Sequence, residues 1–272
     1  MKSIRSRENA QYKELVRLAR SARARREAGK ILLEGVHLVE AYLHQFGATP
    51  VRVFVKQSRQ QHPEIAALAA RSGSVMLLDD NLFERAAPVQ ASKGILALAE
   101  RPSVHATART EGFDVLLETV QDPGNVGAIL RSAAAAGAHA AHLSSDCADP
   151  WSPKALRGGM GAQFVIPVHQ HADLSAAASA LGVRLIACIA DAPISLFDAD
   201  LRGPAGFIIG GEGAGVSDAV LKQAHQLLRI PMRAGIESLN AAAAASVVFF
   251  ERFRQNHAAA PLGNDRSNST KQ

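Results

Sequence analysis

Three loops of this sequence combine glycines with polar side chains, and each follows a segment with the pattern of a buried strand. The first contains Asn125 and, six residues later, Arg131 within an otherwise apolar helical segment. Since a buried arginine is usually paired, we expect Arg131 to pair with a carboxylate such as Glu118 or Glu212, or to hold a phosphate. Asn125 is placed to cap the helix that follows it.

The second loop, residues 209–217, surrounds the carboxylate of Glu212 with four glycines. Glycine lets the backbone approach a ligand closely. The loop lacks the Gly-Lys-Ser/Thr of a phosphate-binding P-loop, and Val216 stands where a dinucleotide fingerprint needs its last glycine. Two interpretations therefore stay open: a ligand-binding turn of another kind, or a tight strand–helix connection with Ser217 as the helix N-cap.

The third loop runs from Ile230-Pro-Met232 to Ser238-Leu-Asn240 and precedes an apolar helix. Ser238 is placed to cap that helix, and the polar residues at its first turn are also compatible with capping alone. The sequence contains no His-Glu-x-x-His, cysteine cluster or Gly-x-Ser-x-Gly, so metallohydrolase and serine-hydrolase chemistry lack support. Cys147 and Cys188 lack metal-type spacing, and we expect no metal site.

The elements that position these loops alternate along the second half of the chain. Strands are predicted at residues 114–119, 138–143, 164–167, 184–189, 206–210 and 227–230, and helices at residues 126–136, 174–181, 218–226 and 239–254. Such alternation predicts an α/β domain with a mostly parallel sheet and helices on both faces. Ligands of such sheets bind at the carboxyl ends of the strands, where the three loops lie.

The first hundred residues have the pattern of a separate, smaller α/β unit. Strands are predicted at residues 31–34, 51–55, 75–78 and 95–99, and helices at residues 8–28, 35–46 and 65–70. The polar segment 101–112 reads as a linker. We therefore expect a first domain over residues 1–100, a second over residues 113–256 and a disordered tail over residues 257–272.

Positive charge is concentrated at the N-terminus. Residues 1–30 hold ten Lys or Arg against three acids, a net +7, so the other 242 residues sum to −2. This concentration favours a polyanionic partner, although a solvated helix is the alternative. The candidate RNA contacts in this segment are Lys13, Arg17, Arg20, Arg23, Arg25 and Arg26. No long apolar run or secretory signal is present, so we expect no membrane span and a cytoplasmic protein.

In their order and spacing the three loops resemble the three motifs of the SPOUT superfamily, in its TrmH/SpoU branch. The matching residues are Asn125, Gly127 and Arg131, then Gly210, Glu212, Gly213 and Gly215, then Ile230-Pro-Met232 with Ser238-Leu-Asn240. The stretch from Asp149 to Lys154, with Arg157, resembles the family's segment between the first two motifs. Residues 33–40 are similar to a substrate-binding domain related to ribosomal protein L30e.

The resemblance implies a fold and an activity. The C-terminal domain would be a parallel-sheet α/β domain with a deep trefoil knot, preceded by the L30e-like α/β domain. The reaction would be methyl transfer from S-adenosylmethionine to a ribose 2′-hydroxyl in RNA, with 23S rRNA favoured over tRNA by the L30e-like module. The enzyme would be a homodimer with its site near the interface.

The resemblance also implies residue roles. The cofactor would be held at Gly210, Gly211, Gly215, Ile230, Met232 and Leu239. The catalytic set would be Arg131, Asn125, Glu212, Ser238 and Asn240, and Arg157 would join the RNA contacts. The sequence departs from the family pattern at Gly211, where many relatives carry asparagine, and at Ala241 and Ala242, where Val-Ser is common.

Arg131 is the candidate activator of the ribose hydroxyl. The pKa of arginine lies above about 12, which makes it a poor general base. We therefore expect Arg131 to clamp the phosphate beside the target and orient the hydroxyl, with Ser238, Asn240 or water helping. Glu212 would orient Arg131 or shape its own loop, and Asn125 would help to position RNA.

Three other interpretations stay open. The first is the same chemistry on tRNA, and the second is a non-catalytic RNA-binding protein with a decayed knot domain. The third is a nucleotide-dependent metabolic enzyme, which the missing phosphate fingerprint and the basic N-terminus disfavour. Cofactor binding separates the second interpretation from the methyltransferase, and RNA binding separates the third.

RNA binding by this protein is expected to weaken steeply with salt and to survive Arg131→Ala. The reason is that a basic helix supplies sequence-independent affinity through release of counterions from phosphates. The measurement is the dissociation constant for RNA at several salt concentrations, for the wild type and the variant. Binding that is insensitive to salt would count against a basic RNA-contacting segment.

Overall fold

Two β-sheets organise the chain, one in each half. The computed structural model describes residues 2–48, 51–88, 92–105, 112–171 and 173–257. The first sheet has the order β1-β4-β3-β5-β2 and consists of β1 (Lys2–Ile4), β2 (Lys30–Glu34), β3 (Arg52–Lys56), β4 (Ser74–Leu78) and β5 (Ile95–Glu100). Strands β1, β4 and β3 are parallel, whereas β5 pairs antiparallel with both β3 and β2.

The helices of this half are α1 (Ala10–Arg20), α2 (Ala22–Ala28), α3 (Val36–Phe46), α4 (Pro63–Ala70) and α5 (Asp80–Ala86). The single helix predicted over residues 8–28 is therefore two helices. Ser21 has an extended backbone between them, and its hydroxyl accepts a hydrogen bond from the Ala24 amide as the N-cap of α2. Serine favours such caps because its side chain replaces a backbone acceptor.

The second sheet is parallel throughout, as the alternating pattern predicts. Its order is β10-β12-β9-β11-β6-β7-β8, and its strands are β6 (Phe113–Glu118), β7 (Ala138–Ser144), β8 (Val168–His171), β9 (Arg184–Cys188), β10 (Ile194–Ser195), β11 (Ala205–Gly210) and β12 (Gln226–Arg229). The helices are α6 (Pro123–Ala135), α7 (Pro153–Gly159), α8 (Leu174–Ala180), α9 (Asp218–Leu221) and α10 (Ala241–His257).

Both faces of the parallel sheet are covered. On one face α6 and α10 contribute Ile129 and Phe249 to the main core. On the other face Leu174 of α8 and Val220 of α9 pack against alternate strand residues. Because both faces are buried, every residue of β6 is buried, including the carboxylates Asp114 and Glu118.

Some predicted elements differ from the structure. The strand predicted over residues 164–167 is wrong: Phe164 ends a 3₁₀ turn, and the strand begins at Val168. The helix predicted over residues 218–226 ends at Leu221. Sequence periodicity missed β1, α5, α7 and β10, which have three, seven, seven and two residues. Segments this short carry too few residues for a clear period.

The segment predicted as a linker joins the two sheets. Strand β5 ends at Glu100 and β6 begins at Phe113. Residues 106–111 of this segment lie outside the described residues, as do residues 258–272 of the predicted tail, while α10 extends to His257. In the described ranges we find no helix with the length and apolar character needed to cross a membrane.

The two halves share a hydrophobic core. Trp151, Leu156 and Phe164 from the second half pack with residues of β2, β3, β5 and α3 on one face of the first sheet. The ring of Phe164 meets the ring of Tyr42 edge-on at 5.6 Å. Helix α1 lies on the opposite face of that sheet. The first domain is thus docked on the second through its α3 face, with its basic helix α1 turned away.

A buried ion pair reinforces this docking. The Arg25 side chain is 6% exposed and donates one hydrogen bond to the Leu18 carbonyl and one, at 3.2 Å, to the Asp149 carboxylate. Asp149 also accepts from the Trp151 amide. Arg25 therefore joins α2 to the second domain, and its guanidinium is turned away from solvent.

Arg25→Ala is expected to lower the free energy of unfolding by about 3 kcal/mol, because it leaves a largely buried Asp149 carboxylate without its partner. The matched control is Arg23→Ala on the same helix, whose side chain is 84% exposed and pairs with Glu27. That change is expected to cost under about 1 kcal/mol. Urea unfolding of both variants provides the measurement, and equal losses would contradict a structural role for Arg25.

Candidate active site

The glycine-rich loop, residues 211–217, is fixed to the end of β6 by one carboxylate. Glu118 accepts hydrogen bonds from the Ser217 amide at 2.8 Å and from the Ser217 hydroxyl at 2.7 Å. The Gly211 amide donates to the Glu118 carbonyl, and the Gly215 amide donates to the Gly211 carbonyl. Ser217 also caps α9, as predicted. The loop is therefore held at both ends by the neighbouring strand.

Two glycines of this loop are needed for its close contacts. A Cβ atom placed on Gly211 would lie 2.1 Å from the Thr119 carbonyl oxygen, and one on Gly210 would lie 2.4 Å from the Gly215 carbonyl carbon. Thr119 itself has a φ of 55°, which is uncommon for a β-branched residue. These glycines let the loop fold back on itself and on Thr119, and Gly211 leaves no room for the asparagine common in relatives.

A cavity of about 340 Å³ opens beside this loop, at the carboxyl ends of β9, β11 and β12. Small-molecule sites commonly have volumes of about 300–1,000 Å³. All six residues predicted to hold the cofactor line this cavity, namely Gly210, Gly211, Gly215, Ile230, Met232 and Leu239. Glu212 and Ser238 line it as well. The structure thus brings together the second and third sequence motifs around one space.

The first motif joins them through hydrogen bonds. Glu212 Oε1 accepts from Asn125 Nδ2 at 2.8 Å and from Asn240 Nδ2 at 2.6 Å. Asn240 Nδ2 also donates to Asn125 Oδ1 at 3.1 Å. One residue from each motif therefore meets the other two, although they lie 87 and 28 positions apart in sequence.

A second cavity of about 320 Å³ lies next to the first. The two cavities share Glu212, Gly213 and Ala214, and the second is also lined by Thr119 and Asn125. The strip from Glu212 to Ala214 forms a wall common to both. This arrangement can hold two reactants on either side of a shared boundary.

Helix capping differs from the sequence prediction at two places. Asp122, not Asn125, is the N-cap of α6, and it accepts from the Asn125 amide. Asn240, not Ser238, caps α10, since its Oδ1 accepts from the amides of Ala242 and Ala243. Because Asp122 caps α6, the Asn125 side chain is free to reach Glu212. Asn240 caps with its oxygen and bonds Glu212 with its nitrogen.

Arg131 is exposed, so the expectation that it needs a carboxylate partner is not met. Glu118 binds Ser217 and Glu212 binds the two asparagines. Among the described residues the Arg131 side chain has no hydrogen bond or ion pair, and it does not line either cavity. Its guanidinium is therefore available to a partner from outside this chain.

The predicted RNA contacts lie in different surroundings. Arg17 and Arg26 are exposed, and Lys13 and Arg23 are exposed but paired with Glu8 and Glu27. Arg20 donates to the Arg85 carbonyl. Arg157 is 55% exposed and lies 4.0 Å from Glu34. Arg25 alone of this set is buried, so the prediction that it contacts RNA disagrees with its position in the domain junction.

Lys154 contacts the start of α6. It donates to Asp122 at 2.6 Å, and this hydrogen bond, followed by the one from the Asn125 amide, lowers the pKa of the Asp122 carboxyl. Lys154 belongs to the segment singled out by resemblance, but its role as a support for the Asn125 loop was not predicted.

Several lining residues were missed by sequence reasoning. Cys188, the last residue of β9, lines the larger cavity together with Ile189 and Ala190, and Thr119 lines the smaller one directly after β6. The available signal was their place at the carboxyl ends of parallel strands, where such sheets bind ligands. They belong to none of the three motifs, so their position at the ends of predicted strands was the only signal that could have identified them.

The larger cavity suits S-adenosylmethionine. Its described lining is mostly apolar, contains the single carboxylate of Glu212 and includes no lysine or arginine. Such a lining accepts a positively charged sulfonium without repulsion and leaves apolar surface for an adenine ring.

Cys188 gives a direct test of this cavity. Burial raises the pKa of its thiol to about 11, so the reactive thiolate forms only as the pH approaches that value. Alkylation by iodoacetamide, followed by mass spectrometry, is expected to be about 100-fold slower at pH 8 than for an ordinary thiol of pKa near 9. S-adenosylmethionine is expected to slow it further at pH 9.5. If Cys188 is alkylated rapidly and S-adenosylmethionine does not change the rate, the cofactor binds outside this cavity.

The geometry agrees with comparisons to known proteins. The chain matches the SpoU rRNA Methylase family over residues 112–250 and the MRM3-like substrate binding domain over residues 9–97. It is 34% identical to an uncharacterized tRNA/rRNA methyltransferase of Synechocystis, covering 96% of this chain and 97% of that one. It is 30% identical to the 23S rRNA (guanosine(2553)-2′-O)-methyltransferase RlmP of Bacillus subtilis, covering 92% and 98%.

Solved structures agree as well. The crystal structure of the SpoU methyltransferase AviRb from Streptomyces viridochromogenes, in complex with the cofactor AdoMet, superposes with a TM-score of 0.81 at 27% identity. The alignment covers 91% of this chain and 98% of AviRb. The predictions of a parallel-sheet SPOUT-type domain and of a preceding substrate-binding domain are confirmed. The chain belongs to the SpoU rRNA methylase family.

Proposed function

We propose that this protein transfers the methyl group of S-adenosylmethionine to a ribose 2′-hydroxyl in 23S rRNA. The observation that carries the proposal is the hydrogen-bonded set of Asn125, Glu212 and Asn240, which joins all three motifs at the wall between two cavities. The relatives in Bacillus subtilis and Streptomyces viridochromogenes are named as 23S rRNA 2′-O-methyltransferases.

The larger cavity would hold the cofactor, and the smaller one would receive the target nucleotide. When bound, S-adenosylmethionine supplies an electrophilic methyl group, so the protein contributes position and electrostatics. Asn125 lines the smaller cavity, and Glu212, Gly213 and Ala214 separate the two. A ribose that enters from the Asn125 side would meet the cofactor where the two cavities adjoin, beside Glu212 to Ala214, because its hydroxyl oxygen must contact the methyl carbon directly as the bond from that carbon to sulfur breaks.

Glu212 positions the two amides in this mechanism. Its Oε1 accepts from both asparagines, so the Asn125 and Asn240 side chains are held in one orientation. Of the two roles expected for Glu212, shaping its loop fits these contacts, whereas orienting Arg131 does not. Ser238 lies exposed at the cavity and is placed to hydrogen-bond the hydroxyl or a water.

Arg131 would hold the phosphate next to the target ribose. Its exposed guanidinium can bind a phosphate through two parallel hydrogen bonds, which lysine cannot match. Since Arg131 lies outside both cavities of its own chain, a second copy of the chain is a natural way to bring it to a target. We propose a homodimer on this ground, and Phe250 of α10, 47% exposed, provides apolar surface for it.

The choice of rRNA rests on the first domain as well as on the relatives. The first domain shares its core with the catalytic domain, so a large RNA bound to it would have a fixed orientation relative to the site. Such a substrate must be folded RNA with an accessible loop or bulge, because sequence-specific RNA recognition targets unstacked bases. A cytoplasmic location is part of this proposal.

The test is transfer of labelled methyl from S-adenosylmethionine to 23S rRNA and to tRNA. The wild type is expected to label rRNA at a ribose. Arg131→Ala is expected to lower kcat/KM by about 100-fold or more, and Arg131→Lys by nearly as much, because the loss of one preorganised contact to charge has that size. Cofactor affinity is expected to stay unchanged in both variants.

The matched control is Arg71→Ala, which removes an exposed arginine of the first domain and is expected to keep full activity. Labelling of tRNA alone would show that the substrate is tRNA and not 23S rRNA. If the wild type binds S-adenosylmethionine but labels neither RNA, the methyltransferase proposal fails for free RNA. If it binds RNA but does not bind S-adenosylmethionine, the chain is a non-catalytic RNA-binding protein.

A further inference from the structure

A third cavity, of about 450 Å³, lies where the two domains and the connecting segment meet. Arg26 of α2 lines it from the first domain, Arg101 and His105 from the connecting segment, and Trp151, Gln163 and His169 from the second domain. None of these residues takes part in the candidate active site. We refer to this space as the junction cavity.

The junction cavity is positively charged. Its ionisable side chains are two arginines and two histidines, and no acidic residue occurs among the described residues that line it. The Arg26 side chain is exposed and has no hydrogen bond or ion pair within the described ranges. Within the described lining of the cavity, the charges of Arg26 and Arg101 therefore meet no acidic side chain.

The wall of the cavity is built from fixed groups. The Arg101 guanidinium lies 5.3 Å from the centre of the Trp151 ring, and the Arg101 amide donates to the Gly29 carbonyl. Gln163 is fully buried and donates to the carbonyls of Pro150 and Ala155. The buried Trp151 Nε1 has no acceptor among the described residues. A fixed guanidinium suits an oxygen-rich anion.

We propose that the junction cavity binds a backbone phosphate of the RNA substrate, and this rests on the proposed function. Arginines that converge on one space bind phosphate oxygens through paired hydrogen bonds. An RNA that contacts both domains must cross their junction, where this cavity lies. A free phosphate or nucleotide has the same chemistry, but it would not explain why the site spans the two RNA-contacting domains.

The contact would orient the RNA and would not select its sequence. Phosphate contacts fix the register of a nucleic acid on a protein, whereas base edges carry the sequence information. The junction cavity also lies on the side of the first domain that faces the catalytic domain, unlike α1, which packs on the other face of the sheet. The RNA path to the active site would therefore follow the junction and not the α1 surface.

Trp151 is the only tryptophan of the chain, so its fluorescence reports directly on this cavity. Deproteinised 23S rRNA is expected to change Trp151 fluorescence in the wild type. In Arg26→Glu this change is expected to be lost, the dissociation constant to rise about tenfold at fixed salt, and the slope of log affinity against log salt to fall by about one. Arg71→Ala, which removes an exposed arginine outside the cavity, is expected to show the fluorescence change and RNA affinity of the wild type.

Arg26 has no described partner, so Arg26→Glu is expected to keep the wild-type melting temperature, and Arg26→Ala gives the same test with a smaller change of charge. RNA affinity equal to that of Arg71→Ala, with the fluorescence change retained, would overturn the proposal. Micromolar binding of AMP or inorganic phosphate that Arg26→Glu abolishes, with RNA affinity unchanged, would overturn it in favour of a free anion. Binding is measured without methyl transfer, so a wild type that fails to methylate rRNA affects only the proposed function.

Discussion

The candidate catalytic centre depends on the hydrogen bonds that the Glu212 carboxylate accepts. Its Oε1 accepts hydrogen bonds from Asn125 and Asn240, so the loops that follow β6, β11 and β12 meet at one oxygen atom. A single acceptor shared by two amides fixes both side chains. Glu118 supports the arrangement from below, because it holds Ser217 at the far end of the Glu212 loop. The carboxylates of Glu212 and Glu118 thus hold the three loops together where the two cavities adjoin.

The two domains are joined by contacts of helix α7 and by one buried ion pair. Helix α7 reaches the active site at its first turn, where Lys154 supports Asp122, and reaches the first domain through Leu156, which lies in that domain's core. Arg25 and Asp149 add a buried ion pair beside it. A domain docked through apolar side chains and a buried pair has one orientation. The first domain therefore keeps a fixed orientation relative to the two cavities of the candidate active site.

Much of this architecture was accessible from sequence. Most strands of the parallel sheet are apolar runs between turn residues, so their places were predicted to within two residues, whereas β8 was misplaced and the two-residue β10 was missed. The lining of the larger cavity was predicted from the resemblance of the three motifs to the family, since the glycines and cap residues by themselves left a tight connection or simple capping open. The domain junction was not accessible, since Trp151, Leu156 and Phe164 are ordinary apolar residues whose partners lie in the other domain.

The sequence by itself determined the α/β class, the family and the residues that gather at the strand ends, because these follow from local periodicity and from motif spacing. Only the tertiary structure decided what each polar side chain does there. The N-cap of α6 is Asp122 where Asn125 was expected, and the N-cap of α10 is Asn240 where Ser238 was expected. Arg25, expected to contact RNA, is buried in an ion pair with Asp149. The caps themselves are local, but the other contacts of Asn125, Asn240 and Arg25 join atoms that lie 28 to 124 residues apart in the chain, and no local pattern carries information over that separation.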